Sequence, residues 1–476
     1  MRPFRLLIAA ILAAALTAAV PSPDAELVRA IIAYDELPTT IELDLAAAGV
    51  EQAVVFEAID GVAVTAPKAV VELLADDPSV LGVQAERRLR MHLFESVEQI
   101  GAQGVEDDDP YTVGTESGPV DRVRPGVDGT GQTVAVIDTG IWDVHPDLLG
   151  KVTHFNFEFQ YAGEGIFSAE QIDLYAEATG QAGRVDDWGH GTHVAGIVAG
   201  TGEGSAGRVN HGVAPGAALV DLKIADLHNG LPDDAGWERN ALAAIDWVIR
   251  HHADDAFGPN GIGVVNNSWG LTGTDTLFEA PRYDLLEAAI DEVVNGEGVV
   301  FVFAAGNDGP GEDTIGRING LDEVITVTAA CKPKTTASGC MPTGPGIASF
   351  SSRGPEADVA APGVEIMSAN APASLVGPLG QLGGDYGGSR TDQVQNRALY
   401  TSASGTSMAA PHVAGLVALM LEVNPDLTPA QVEQILIETA DYHGASETGF
   451  DTAWGHGLVN TVEVLRAAHD LVDGAR

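Results

Sequence analysis

The chain is short of positive charge. Its 476 residues hold 24 Lys and Arg against 68 Asp and Glu, a formal net charge of −44. Only five of the bases are lysine: Lys68, Lys151, Lys223, Lys332 and Lys334. A surface this acidic repels phosphate backbones and anionic lipids, which excludes nucleic acid and membrane surfaces as partner classes. Cysteine is almost missing too. Cys331 and Cys340 alone cannot build a disulfide-stapled miniature scaffold or a four-cysteine zinc site. After residue 20 no apolar run is long enough for a membrane span. Apolar material as such is plentiful, at 45% of residues, which excludes a largely disordered chain. The length suggests two or three folded units at roughly 150 residues each. Scarce lysine with abundant acid fits a protein kept soluble in high salt, and it fits equally a GC-rich genome that replaces Lys by Arg.

Residues 1–20 start with Arg2 and Arg5 and continue in an apolar run from Leu6 to Val20, with small residues Thr17, Ala18 and Ala19 near its end. Charged start, short apolar stretch and small residues make a signal peptide. The mature protein is therefore expected to be secreted, extracellular and without a membrane span. Residues 24–92 form a second unit. Val28 to Tyr34 reads as a strand and Thr39 to Ala48 as a helix with Ile41, Leu43 and Leu45 available to pack. Two strands flank the turn at Asp60-Gly61, Lys68 to Leu74 reads as a helix, and Val80 to Leu89 as a last strand. This β-α-β-β-α-β order is a split βαβ unit. Residues 93–127 are poor in apolar pattern, include Glu106-Asp107-Asp108-Asp109-Pro110, and read as a tether that contains the mature N-terminus. Residues 1–110 carry −12 of the charge, so the acidity belongs mainly to the large domain, residues 128–476.

Four segments of that domain carry chemistry. Val134-Ala-Val-Ile-Asp138-Thr-Gly140 is a buried strand that ends in a carboxylate, where sites gather in open parallel sheets. Asp187-Trp-Gly-His190-Gly-Thr-His193-Val-Ala-Gly196 lacks the Glu of a zinc-binding H-E-x-x-H and reads as a tightly packed helix start with His190 at its exposed end. Val299 to Gly309 holds an apolar strand that ends in small residues and Asn307, whose amide could favour a turn or donate to an oxyanion. Ser404-Gly-Thr-Ser407-Met-Ala-Ala-Pro-His412-Val-Ala-Gly415 sets a serine at the start of an apolar helix, near free backbone N–H groups. Each has a plain structural explanation on its own. Together, in the order Asp138, His190, Asn307, Ser407, they supply an orienting carboxylate, a general base, an oxyanion donor and a nucleophile.

These blocks, VAVIDTG, GHGTHVAG, AAGN and GTSMAAPHVAG, resemble those of the subtilisin-like serine protease (subtilase) family, and residues 24–92 are similar to its inhibitor-type pro-domain. The resemblance implies an α/β fold, a mostly parallel sheet with helices on both faces, preceded by a small α+β pro-domain. It implies a serine endopeptidase of broad specificity, made as an autoprocessed zymogen and working as a monomer on polypeptide substrates, with its own pro-domain as intramolecular inhibitor. Asp138, His190 and Ser407 would be catalytic and Asn307 the oxyanion donor. Ser268-Trp269-Gly270 would pair with the substrate backbone as an added strand. His193 and His412 belong to the motifs but read as packing or hydrogen-bonding residues.

Asp147 matches a family calcium ligand, yet the loop Thr201 to Asn210 lacks a matching oxygen-ligand pattern. The chemistry needs no cofactor, and a structural calcium stays open. Asp138 and His190 are 52 apart, and the insertion Phe155 to Arg184 is expected to shape the rim of the cleft. In an exported protein a local Cys331–Cys340 disulfide is the expected state. A lipase of the α/β-hydrolase type would need G-x-S-x-G and the order Ser, Asp, His, both missing. A non-catalytic binding protein on the same fold would be expected to have lost a catalytic residue, and none is lost.

Overall fold

A computed structural model describes residues 27–91, 127–159, 162, 165–180, 186, 188–205, 208, 210–225, 238–272, 283–331, 340, 346–371, 399–441 and 449–474. The expected signal peptide 1–20, nearly all of the tether 93–127 and Asp187 lie outside them.

The N-terminal unit has strands β1 (Leu27–Tyr34), β2 (Gln52–Phe56), β3 (Gly61–Pro67) and β4 (Val80–Ala85), with helices α1 (Ile41–Ala47) and α2 (Lys68–Ala75). β1 lies antiparallel between β3 and β4, and β2 is antiparallel to β3. The turn between β2 and β3 holds Asp60 at φ 49°, a left-handed position that Asp tolerates. Alternation gives the sheet two apolar faces. Ala30, Ile32, Val55, Val62 and Val64 pack with Leu45 and Val71 of the two helices. Ile31, Ala33, Val54, Phe56 and Ala63 point the other way, into the large domain's core. Leu43, expected to pack, is 72% exposed, because only Ile41 and Leu45 of α1 face the sheet. The expected last strand also divides. After β4 a break at Glu86-Arg87 starts a separate β5 (Arg88–Met91) that leaves this sheet.

The large domain is built on β6 (Thr133–Asp138), β7 (Val152–Asn156), β9 (Ala218–Lys223), β10 (Ile262–Asn267), β12 (Val300–Ala304), β13 (Ile325–Ala330) and β14 (Val359–Pro362). Their order is β14-β13-β12-β10-β6-β9-β7, and every neighbouring pair is parallel. One face is covered by α4 (His190–Ala199), α7 (Thr406–Val423), α8 (Pro429–Thr439) and α9 (Thr461–Gly474). The other carries α5 (Glu238–His251), α6 (Leu285–Asp291) and, outside these, the N-terminal sheet. Against the reading that no run after residue 20 reaches spanning length, α7 is by length and composition apolar enough to cross a membrane, but 94% of it is buried here as the core helix.

From β6 the chain steps to the edge at β7 and comes back inwards to β9, then crosses β6 and builds outwards through β10, β12, β13 and β14 on the other side. The crevice at the carboxyl ends of β6 and β10 is therefore the switch point where such sheets hold their sites.

Three further elements connect the two parts. The insertion after β7 forms β8 (Gly165–Phe167) and α3 (Ala169–Gly180), and β8 joins the N-terminal sheet parallel to β2. β11 (Trp269–Thr272) pairs antiparallel with β5. β15 (Ile366–Ala369) and β16 (Tyr400–Ala403) pair antiparallel, and β15 lies against α4.

Candidate active site

Asp138 ends β6, and His190 is the first residue of α4. His190 Nδ1 and Asp138 Oδ1 are 2.7 Å apart, with both side chains fully buried. The same carboxylate oxygen accepts the Thr139 N–H at 2.7 Å. Close approach of α4 to the β6 turn depends on Gly191, where a Cβ would lie 2.2 Å from the Gly140 carbonyl oxygen. His190 is only 3% exposed, although an exposed helix end was expected. The turn after β6 and the Trp188 ring, 6.4 Å from the imidazole, enclose it.

Ser407 is the second residue of α7, where backbone N–H groups lack intrahelical partners. Its Oγ donates to the Ser268 carbonyl at 2.9 Å, and Ser268 Oγ donates back to the Ser407 carbonyl at 3.1 Å. His190 Nε2 is buried with no hydrogen-bond partner among the described residues. Hydrogen bonds of this kind are often formed only with substrate in place.

Asn307 follows β12. Its Oδ1 accepts both the N–H and the hydroxyl of Thr406, each at 3.0 Å. That fixes the amide so that Nδ2 is buried and has no partner among the described residues. A held, unspent donor beside the serine is what an oxyanion requires.

Ser268, Trp269 and Gly270 follow β10 and enter β11, all three buried. The edge is occupied: Trp269 pairs with Met91, Gly270 with Arg90, Leu271 with Leu89 and Thr272 with Arg88. Arg87 anchors this strand on two helix starts. It pairs with Glu238 of α5, its N–H and Nε each 3.0 Å from Oε2, and its guanidinium reaches Asp284 at 2.9 Å. Asp284 also caps α6 by accepting the Leu286 and Glu287 N–H groups.

Two residues given no role in the sequence reading support the site. Asp186, four before His190 and wholly buried, accepts from the Thr139 hydroxyl, the Gly189 N–H, and the N–H and hydroxyl of Thr192. Burial pushes its carboxyl up, while the Thr192 hydroxyl and Lys223 pull it back. Thr406 holds Asn307. An acid just ahead of a helix start was the available signal for Asp186; Thr406 lay inside the GTSMAAPHVAG block, but its contact with Asn307, 99 residues away, had no local signal.

His193 Nε2–H donates to the Ile366 and Thr401 carbonyls at 3.0 and 3.2 Å, and burial lowers its pKa to about 3. His412 Nδ1 is 2.7 Å from the Met408 carbonyl. Both make the packing and hydrogen-bonding contacts expected of them. The Asp147 carboxylate is engaged by two protein donors. One oxygen accepts the Gly204 N–H at 2.7 Å, the other the Tyr400 hydroxyl at 2.8 Å, and both partners are donors. Among the described residues no group of three acids, histidines or cysteines is placed to hold a metal. Cys331 and Cys340 are joined in a disulfide.

Residues 129–457 match the model of the subtilase family. The chain is 35% identical over 319 residues to serine protease AprX of Bacillus subtilis, covering 66% of this chain and 62% of that protein. It is 31% identical over 407 residues to subtilisin E of the same species, 85% of this chain and 80% of that one. It thus spans less than two thirds of AprX but most of subtilisin E. Fervidolysin from Fervidobacterium pennivorans shares the fold, with a TM-score of 0.64 at 24% identity, over 94% of this chain and 62% of that one. The chain belongs to the subtilase family of serine peptidases, a membership that implies an Asp-His-Ser triad.

Proposed function

We propose that this subtilase is a secreted serine endopeptidase, made as a zymogen whose residues 24–92 inhibit it until it cuts them away. Ser407 Oγ turns from the Ser268 carbonyl to His190 Nε2, gives up its proton there and attacks the peptide carbonyl carbon. Asp138 keeps the imidazole in the tautomer with Nδ1–H and stabilises the imidazolium that forms. Asn307 Nδ2, with the Ser407 backbone N–H, donates to the tetrahedral oxyanion. His190 then protonates the leaving amine, and water releases the acyl group by the same steps in reverse. No cofactor enters this chemistry.

The observation that carries the zymogen reading is β5 on β11. A strand at the end of the N-terminal unit lies antiparallel along Trp269 and Gly270, one residue from Ser268, as a substrate would lie by strand addition. Backbone pairing of this kind tolerates many side chains, which supports broad specificity. The first cut would then fall shortly after Met91, leaving a mature domain that starts within the tether.

The test compares the full chain with Ser407→Ala, expressed in a host without endogenous proteases. The parent should lose its N-terminal unit, and a fluorophosphonate should label it at Ser407. The variant should keep its full mass and stay unlabelled. Equal processing in both chains would overturn autocatalysis. Labelling of the variant would remove Ser407 as nucleophile.

A further inference from the structure

The insertion between β7 and α4 was expected at the rim of the cleft. Its strand β8 instead completes the N-terminal sheet. Gln52 pairs with Gly165, Ala53 with Ile166 and Val54 with Phe167, in parallel, and the Gly165 N–H donates to the Glu51 carbonyl at 3.0 Å. We propose that this insertion is a docking strand for the chain's own N-terminal unit, one that sets how slowly the cut unit leaves.

The alternation of the strand divides its work. Phe167 faces the large domain, where its ring lies 5.4 Å from Phe159 and 5.9 Å from Tyr175, and Phe159 stacks on Tyr175 at 4.9 Å. The Tyr175 hydroxyl donates to the Glu158 carbonyl at 3.0 Å. These rings fix β8 to the body of the peptidase. Ile166 faces the other way and packs against the core of the N-terminal unit, beside Ala53, Val55 and α1. A second tie reaches across the same seam. Gln52 Nε2 donates to the Phe159 carbonyl at 3.0 Å, while its Oε1 accepts from Arg239 at 3.0 Å.

Without β8 the outer edge of β2 would present unpaired N–H and C=O groups to solvent. With it, departure of the unit must break a parallel ladder and expose Ile166 together with part of a small apolar core. Such contacts change dissociation more than association. None of the atoms involved belongs to the groups that surround Ser407. The insertion should therefore affect inhibition and leave hydrolysis of short peptides alone.

This inference rests on residues 24–92 being an inhibitory pro-domain, and the test separates the two ideas. Ile166→Asp is made in the full active chain and in the full Ser407→Ala chain. In the uncut chain, amide exchange at Ala53 and Val55, whose N–H groups face β8, should speed up by about tenfold, because the strand pair opens locally. In the active chain, the cut N-terminal fragment should dissociate about tenfold faster. Once the fragment is gone, kcat/KM on a short chromogenic peptide should equal that of the parent. Parent-like exchange and parent-like release would overturn the proposal. So would a changed kcat/KM on the short peptide, which would return the insertion to the cleft rim. If Ile166→Asp does not fold, Ile166→Ala decides: release about threefold faster is expected, and no change overturns it. Full peptide hydrolysis by the parent with its fragment still bound would defeat the inhibitor reading instead, while the exchange result would still judge the strand.

Discussion

Arg239, at the start of α5, and Glu86, just beyond β4, form an ion pair of 2.6 Å in which both side chains are fully buried. They come from the two sides of the seam between the N-terminal unit and the peptidase. The guanidinium is further saturated by Gln52 Oε1, the Thr65 hydroxyl and the Val64 carbonyl. A buried pair contributes little net stability over an apolar replacement, but removing one partner strands a charge. Beside it, Arg87 between Glu238 and Asp284 repeats the arrangement with a partly exposed base.

Glu86→Ala in the Ser407→Ala chain should therefore destabilise the docked unit by about 3–5 kcal/mol. The double variant Glu86→Met with Arg239→Met should recover most of that, a non-additivity expected of residues in contact. Urea unfolding followed by a probe in the N-terminal unit measures both. Strictly additive effects would show that the pair does not couple the two parts.

Asn307→Ala should lower kcat on a peptide substrate by roughly 10²–10³ with little change in KM. Thr406→Val removes one of the two bonds that hold Asn307 Oδ1, so its loss should go the same way and be smaller. Steady-state kinetics of the processed enzymes decides. A KM effect without a kcat effect would make Asn307 a ground-state contact.

Asp246 of α5 accepts the Ala58 N–H of the N-terminal unit at 2.8 Å and Arg250 Nε at 2.9 Å. Burial raises its pKa from 3.8 to about 6, against the pull of Arg250. Between those values the folded chain holds a proton that the unfolded chain has lost. This group's stabilisation is thus complete below its ordinary pKa and disappears as pH rises through about 6. Thermal midpoints of the Ser407→Ala chain and its Asp246→Asn derivative, scanned from about pH 4 to pH 7, give the contribution by difference. Parallel curves would refute it.

Residues 111–476 carry a net charge of −32. Self-repulsion of that size is screened by salt, so the thermal midpoint should be higher in molar NaCl than at low salt. A flat or falling midpoint would assign the acidity to genome composition and not to the folded surface.

The sequence by itself determined most of the elements and the candidates for the reacting groups. Asp138, His190, Asn307 and Ser407 each sit beside a strand end or helix start whose apolar period is visible locally. The turn at Asp60-Gly61 and the order of the first six elements were legible for the same reason. Side-chain periodicity and turn chemistry act within a few residues. Tertiary structure decided what lies between distant segments. It turned the expected last strand at Glu86-Arg87 so that Arg88–Met91 left one sheet for the edge of Trp269–Thr272. It buried Arg239 against Glu86, 153 residues away, and left Leu43 in solvent. It sent Gly165–Phe167 to a sheet whose other strands were made before residue 86. No local pattern carries such pairings, because the edge of a strand and the face of a helix acquire their partners only when the two parts pack.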